Sequence, residues 1–357
     1  MRIALTCSIK PLVLKEGETE DLYAEMDSEA TINDLKQAIE SHGHNVSIIN
    51  TNDDFIETLN NNKDNIDFVF NIAEGLKGEF RESMVQVHCD YLGIPYHGPG
   101  PLTAAIALNK AKTKEVLLAN NIPTPKFQVF YTGREVLRND LTYPLIIKPM
   151  LEGSSKGIFN ENLVHDDEKL RKISGKLLRK YHQPVIVEEF LTGREFTVSV
   201  IGNKNPTVLP IVEITFHHLP EGLHPMDSYE AKWIYDNPTS QVDPLVCPAK
   251  ITPALQKKIR DVAKRTFAVL ECKDWTRIDI RLDGQEEPQV LEVNALPGLM
   301  KDPKENSRLP RAAYTAGWTY EHLIGTVLNS ALKRKGLLQE SSQTTKVKIP
   351  SVPTTLE

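Results

Sequence analysis

Residues 275–299 read WTRIDIRLDGQEEPQVLEVNALPGL. Ile278, Ile280 and Leu282 interleave with Arg277, Asp279, Arg281 and Asp283, and Val290, Leu291 and Val293 follow the turn signal Asp283-Gly284. Period-two alternation on both sides of a turn predicts a hairpin. On its polar face Arg277 and Asp279 lie together, and Glu292 and Asn294 share one face of the second strand. Asp279, Glu292 and Asn294 are hard oxygen donors of the kind Mg²⁺ takes beside phosphates, and Arg277 can clamp a phosphoryl oxygen with two parallel N–H groups. A surface hairpin with a solvated polar face would show the same alternation. Against that stands Asn294-Ala295-Leu296-Pro297-Gly298-Leu299, a strand ending on an amide and a glycine-bearing turn able to present backbone N–H groups to a ligand.

Upstream, Leu145-Ile146-Ile147-Lys148-Pro149 reads as an apolar strand ending at a lysine. It runs into Leu151-Glu152-Gly153-Ser154-Ser155-Lys156-Gly157, a loop of glycines and hydroxyls whose N–H groups can wrap phosphate oxygens, although it lacks P-loop spacing. Val185 to Leu191 and Glu195 to Val200 read as two more strands, where Glu188, Glu189, Phe190 and Leu191 can flank an adenine edge and Glu195 can accept from ribose hydroxyls. Surface carboxylates are the plain alternative for those acids. One helix is expected from about Leu102 to Leu118, with Lys110, Lys112 and Lys114 along it, each of which on its own reads as exposed. Glu230-Ala231-Lys232-Trp233, inside a long irregular stretch, reads as a mobile loop over a site. A helix from about Pro253 to Leu270 precedes the hairpin, and a polar loop from Met300 to Arg308 leads to a final helix with Tyr320, Leu323, Ile324, Val327 and Ala331 on one face.

Near the N-terminus, strands at Ile3–Leu5, Val46–Ile49 and Ile66–Phe70 alternate with helices, the first capped by Ser28 and ended by Gly43. Such alternation predicts a parallel α/β lobe. Its first loop, KEGETEDLYAEMDSE, carries seven acids, and beyond the third strand lie Glu74-Gly75 and Gly78-Glu79-Phe80-Arg81-Glu82. Ligands in open α/β sheets sit beyond the strands' carboxyl ends, so the second stretch reads as part of a site and the acidic loop as solvated.

With 357 residues, 25% of them charged and 40% hydrophobic, the chain is expected to be globular, and its net charge of −6 without a basic stripe argues against a nucleic-acid partner. Cys7, Cys89, Cys247 and Cys272 show no metal-ligand spacing and read as free thiols of a reducing compartment. The N-terminus makes a poor signal peptide and no apolar run is long enough to span a bilayer, so a cytoplasmic location is expected.

The order RIDIRLD then LEVNALPGL closely resembles the ATP-grasp ligases, and within them the D-alanine–D-alanine ligase family, over about Pro95 to Val327. The resemblance implies an α/β ATP-grasp fold: an N-terminal parallel lobe (1–100), then central (101–200) and C-terminal (201–335) α+β lobes holding ATP between them, with 336–357 as a mobile tail. It implies ATP and two magnesium ions, or manganese in their place, held by Asp279, Glu292 and Asn294. Lys110 and Lys148 would bind phosphates, with 152–157 as a phosphate lid; Glu188 to Leu191 would line the adenine pocket and Glu195 the ribose. Lys232, Ser154, Arg277 and the Gly298 N–H would serve the reacting groups. The implied reaction phosphorylates a carboxylate and lets an amine attack the acyl phosphate, with small amino acids or peptides as substrates and a homodimer as the assembly.

The substrate pockets depart from that family. An acidic stretch replaces the glycine-rich, Ser-x-Glu-bearing segment after the first strand, Glu74-Gly75 replaces a histidine-glycine pair, and Trp233 replaces a tyrosine or phenylalanine. Ser307-Arg308, after a lengthened loop, stands where a serine-leucine pair binds the acceptor carboxylate. The expectation is therefore a carboxylate–amine ligase with Glu74 toward a donor ammonium and Arg308 toward an acceptor carboxylate. A D-alanine–D-alanine ligase with a divergent N-terminal lobe, and a non-catalytic ATP-binding regulator, are the alternatives.

Overall fold

A computed structural model describes residues 1–11, 13, 20–51, 54–75, 77–236 and 242–338. Three parallel strands form the N-terminal sheet, with Arg2–Cys7 between Asn45–Asn50 and Phe68–Asn71. Side chains alternate across a strand, and here both faces are covered. Ile3, Leu5 and Cys7 face a core with the helices Glu29–Glu40 and Tyr320–Arg334, whereas Ala4 joins the core of the helices Phe55–Asn62 and Met84–Leu92. Ser28 Oγ accepts the Thr31 N–H at 3.1 Å, the expected cap of Glu29–Glu40.

The central sheet is antiparallel, in the order Phe127–Phe130, Val185–Glu189, Leu145–Pro149, Leu163–Val164, and shares its own core with the helix Asp167–Tyr181. The C-terminal sheet runs Leu245–Val246, Val212–Ile214, Glu195–Ile201, Trp275–Leu282, Pro288–Asn294, with Thr207–Val208 also against Glu195–Ile201. The hairpin is present, with a bulge between Asp279 and Ile280. The boundary expected at 200 falls inside Glu195–Ile201, which pairs along its whole length with Trp275–Leu282 and so lies in the C-terminal sheet.

Two expectations need correction. The single helix from Leu102 to Leu118 is two, Pro101–Leu108 and Lys110–Ala119. Asn109 breaks it by taking an extended conformation and accepting the Lys112 N–H on its side chain, so it caps the second helix. The irregular stretch around Lys232 contains a helical turn, Glu230–Tyr235. A helix at Arg308–Thr315 stands between the expected polar loop and the final helix; its Pro310 lies in the first turn, where N–H groups lack intrahelical partners and proline is tolerated. Leu337 and Leu338 are exposed, and the expected tail beyond them lies outside the described residues. No helix among the described residues is long and apolar enough to cross a membrane.

Candidate active site

The hairpin supplies one wall. Arg277 pairs in register with Asn294 and Asp279 with Glu292, which brings the four polar side chains together. Arg277 donates to both oxygens of Asp279, at 3.1 and 2.9 Å, Thr197 donates to Oδ1 at 2.5 Å and Asn294 Nδ2 donates to Oδ2 at 3.0 Å. Burial works against the Asp279 carboxylate, yet Arg277, then Arg308 and Thr197, hold it below the usual range. The carboxylates of Asp279 and Glu292 and the Asn294 side-chain oxygen are a donor set whose chemistry fits Mg²⁺.

Facing that wall are two buried lysines, contrary to the exposure expected for each. Lys110 opens its helix and points inward, Nζ lying 3.2 Å from Glu292 Oε2 and 2.5 Å from the Glu152 carbonyl. Lys114, one turn on, is fully buried, donates to Thr124 Oγ1 at 2.8 Å and lies 3.5 Å from Glu188. Lys148 reaches the same carboxylate at 3.0 Å. Burial opposes the charge on Glu188, but Lys114 and Lys148 hold it below the usual range, while burial drives Lys114 down to about 8. Lys112 alone is exposed as expected.

The loop 151–157 follows Lys148. Ser154 and Ser155 have φ of 48° and 59°, left-handed values uncommon for side-chain-bearing residues and typical of functional sites. Ser155 Oγ donates to the Asp227 carbonyl at 2.7 Å, and Trp233 Nε1 donates to the Ser154 carbonyl at 3.0 Å, docking the 230–235 turn on the loop. The Glu152 carboxylate turns to Lys156 at 2.8 Å and Gln183 at 2.7 Å, leaving its backbone on the cleft side.

Lys110, Lys148, Glu152, Ser155, Glu188, Glu189, Phe190, Leu191 and Glu195 line one slot together with Asp279 and Glu292. Glu189 turns its carboxylate to Thr142, at 3.2 Å. Glu195 is paired with Arg281 at 2.9 Å, and burial raises it to about 7 against that pairing. Arg281 in turn stacks on Phe190, 4.8 Å from its ring centroid.

A second cleft of about 770 Å³ shares Lys110, Glu152 and Glu292 with the slot. Its lining includes Gly153, Ser154, Lys232, Arg277, Asn294, Gly298, Ser307, Arg308 and Glu74. Burial, then Arg308, lowers Lys232 to about 8. Arg308 donates to Asp227 at 2.7 Å, while its Nε and the Ser307 Oγ are buried without a hydrogen-bond partner. At the far side Glu25, Glu74 and Glu82 bring carboxylate oxygens within 4.8 Å of one another. Burial, then Glu82 and Glu25, raises Glu74 well above the ordinary range, and burial raises Glu82 to about 7. The described part of the acidic loop is thus not simply solvated: Glu25 pairs with Arg81, and Asp21 accepts from Lys180 and Tyr181, each at 2.8 Å. Glu16 and Glu18 lie outside the described residues.

Asp227 and Arg281 line the slot, and Lys114 and Thr197 contact its Glu188 and Asp279; sequence reasoning gave none of the four a part in the site. Arg281 was visible as the next polar position of the alternating strand and Lys114 as one helical turn from Lys110; Asp227 carried no signal.

A family model described as D-ala D-ala ligase C-terminus matches residues 116–329. The D-alanine–D-alanine ligase of Moorella thermoacetica is 33% identical over 306 residues, covering 83% of this chain and 91% of that one. An uncharacterized protein of Sinorhizobium fredii is 36% identical over 266 residues, covering 74% and 75%. In fold, the D-alanine–D-alanine ligase of Bacillus anthracis complexed with ATP superimposes with a TM-score of 0.70 at 23% identity, over 94% of this chain and 99% of that one. The hairpin, the loop after Lys148 and these likenesses converge: the chain belongs to the D-alanine–D-alanine ligase family and is an ATP-grasp enzyme of the carbon–nitrogen ligase class.

Proposed function

We propose that the enzyme joins two amino acids, or an amino acid and a peptide, by way of an acyl phosphate, releasing ADP and phosphate. The observation that carries this is the convergence of Lys110, Lys148 and the 152–157 lid on the face of the hairpin that bears Arg277, Asp279, Glu292 and Asn294. Mg²⁺ ions, when bound there, supply charge neutralisation for the transferred phosphoryl group. Lys110 and Lys148 hold phosphate oxygens, and Lys232 approaches the transferred group from the 230–235 turn. Arg277 and Gly298 line the cleft, and the guanidinium of the one with the N–H of the other stabilise the oxyanion formed when the amine attacks. Glu188 to Leu191 border the adenine and Glu195 the ribose. Glu74 receives the donor ammonium, and Ser307 with Arg308 the acceptor carboxylate. Trp233 over Ser154 helps keep water from the acyl phosphate.

The relatives' names favour D-alanine as both substrates. The acid pair Glu74–Glu82 and the buried Arg308 favour a different pair. Phosphate release from Mg²⁺ and ATP, measured with single D- and L-amino acids and with pairs, and mass spectrometry of products, separates them. Release with D-alanine alone selects the first, release only with another pair selects the second, and silence with ATP binding intact refutes ligation of free amino acids.

The expected homodimer is assigned to the exposed side chains Phe80, Met84, Val87 and Tyr91, and the cytoplasmic location to the four unpaired cysteines.

A further inference from the structure

The acidic segment after the first strand and Arg81, after the third, have no task in the chemistry above. They meet at the base of the phosphate lid. Arg81, only 7% exposed, donates from Nη1 to the Leu151 carbonyl at 2.6 Å and from Nη2 to both oxygens of Glu25 at 2.8 Å. Glu25 Oε1 accepts the Gly153 N–H at 2.5 Å, and Glu152 Oε2 lies 3.6 Å from Arg81. Gly153 is what permits the approach, since a Cβ there would stand 2.6 Å from Glu25 Oε1. Gln183 completes the arrangement from the central lobe, accepting the Leu151 N–H at 2.6 Å and donating to Glu152 at 2.7 Å.

Both ends of the lid's first turn, a carbonyl and an N–H, are therefore held by side chains of the N-terminal lobe. Glu25 and Arg81 are buried, so each needs the other to stay charged. Burial works against the Glu25 carboxylate, and Arg81, Lys156 and the Gly153 N–H keep it below its ordinary range.

We propose that Arg81 and Glu25 are positioning residues that tie the phosphate lid to the N-terminal lobe, fixing the backbone of 151–154 in the orientation in which the following N–H groups meet phosphate. Neither touches the reacting atoms; they act through Leu151 and Gly153. The tie rests on the assignment of 152–157 as the phosphate lid. It also gives the acidic segment a function: the same side of the cleft that holds Glu74 and Glu82 sets the lid.

The test is amide hydrogen exchange of the full chain, read on peptides covering 151–157, in the nucleotide-free enzyme and with Mg²⁺ and the non-hydrolysable nucleotide AMP-PNP. Arg81→Met is expected to speed exchange of these amides about tenfold or more in the free enzyme and to weaken AMP-PNP about tenfold, with exchange elsewhere in the central lobe unchanged. Glu25→Gln keeps the oxygen that accepts the Gly153 N–H but loses the ion pair, and Arg81→Lys keeps the charge but not the fork, so both should fall between wild type and Arg81→Met. If Arg81→Met does not fold, Glu25→Gln, a change of one group, carries the comparison. Lid exchange within twofold of wild type in the folded variants would overturn the tie. Failure of the lid assignment would show separately, as wild-type amides at 151–157 that AMP-PNP does not slow.

Discussion

Lys232 faces the cleft with its ammonium depressed to about 8, by burial first and Arg308 second. A lysine is cationic below its pKa, so the free enzyme loses this charge as pH rises through about 8. Since kcat/KM reports the free enzyme, its value for ATP should decline above pH 8, and Lys232→Arg, charged throughout, should move that limb upward by roughly a unit or more. A limb that stays in place would separate Lys232 from the phosphate. Glu82 has the opposite linkage. Its folded pKa of about 7, raised chiefly by burial, exceeds the ordinary value of 4.5, so the folded state binds more protons and stability falls as pH rises across that window. Glu82→Gln should therefore stabilise the chain by about 1–3 kcal/mol at pH 8 and hardly at all at pH 5, measured by thermal unfolding. Equal gains at both pH values would mean that Glu82 does not carry the shift.

Elements here place charges that their own periodicity does not. The break at Asn109 starts a new helix at Lys110, turning Lys110 and Lys114 inward one turn apart while Lys112 faces solvent. The helix Arg308–Thr315 begins at Ser307, whose side chain makes no capping hydrogen bond and whose Oγ is buried and unpartnered. A helix N-terminus carries partial positive charge, and Arg308 adds a full one, so this end suits a carboxylate. Arg308→Ala should raise the acceptor KM about tenfold, roughly 1.4 kcal/mol, with a smaller change in kcat. An unchanged acceptor KM would assign Arg308 to Asp227 alone.

At the scale of the molecule, one core joins the N-terminal sheet to the C-terminal helix: Ile3, Leu5, Phe68 and Phe70 pack with Trp275, Leu323, Ile324 and Val327. The strand Arg2–Cys7 and the helix Tyr320–Arg334 are thereby fastened to one another, while the central lobe keeps a separate core. Outside, Met84, Val87 and Tyr91 follow helical spacing on one face, with Phe80 a turn earlier, at exposures of 42, 47, 86 and 55%. Together they present apolar-rich surface on the order of 500 Å², near the upper end for a monomer. Two such faces would bury on the order of 1,000 Å², about where specific association begins. Sedimentation should show a dimer that Val87→Lys converts to monomer without a fall in melting temperature. A monomeric wild type, or a dimer indifferent to Val87→Lys, would refute that face.

The hairpin, the Ser28 cap, the apolar face of Tyr320–Arg334 and the shared polar face of Arg277, Asp279, Glu292 and Asn294 were legible in the residues alone. Each follows from chemistry repeated every two or three to four positions, or from a cap beside the N–H it serves, so neighbours in sequence suffice. The family resemblance extended this to the ATP-grasp fold and the ligase class. What no local pattern carries is which charges are buried and who shares them: Glu188 between Lys114 and Lys148, Arg308 on Asp227, Arg81 on Glu25. Arg81 and Glu25 are 56 residues apart, and Arg308 and Asp227 are 81 apart. Such pairings arise when the packing of elements distant in sequence removes water from both partners, and desolvation belongs to the assembled fold rather than to any stretch of chain.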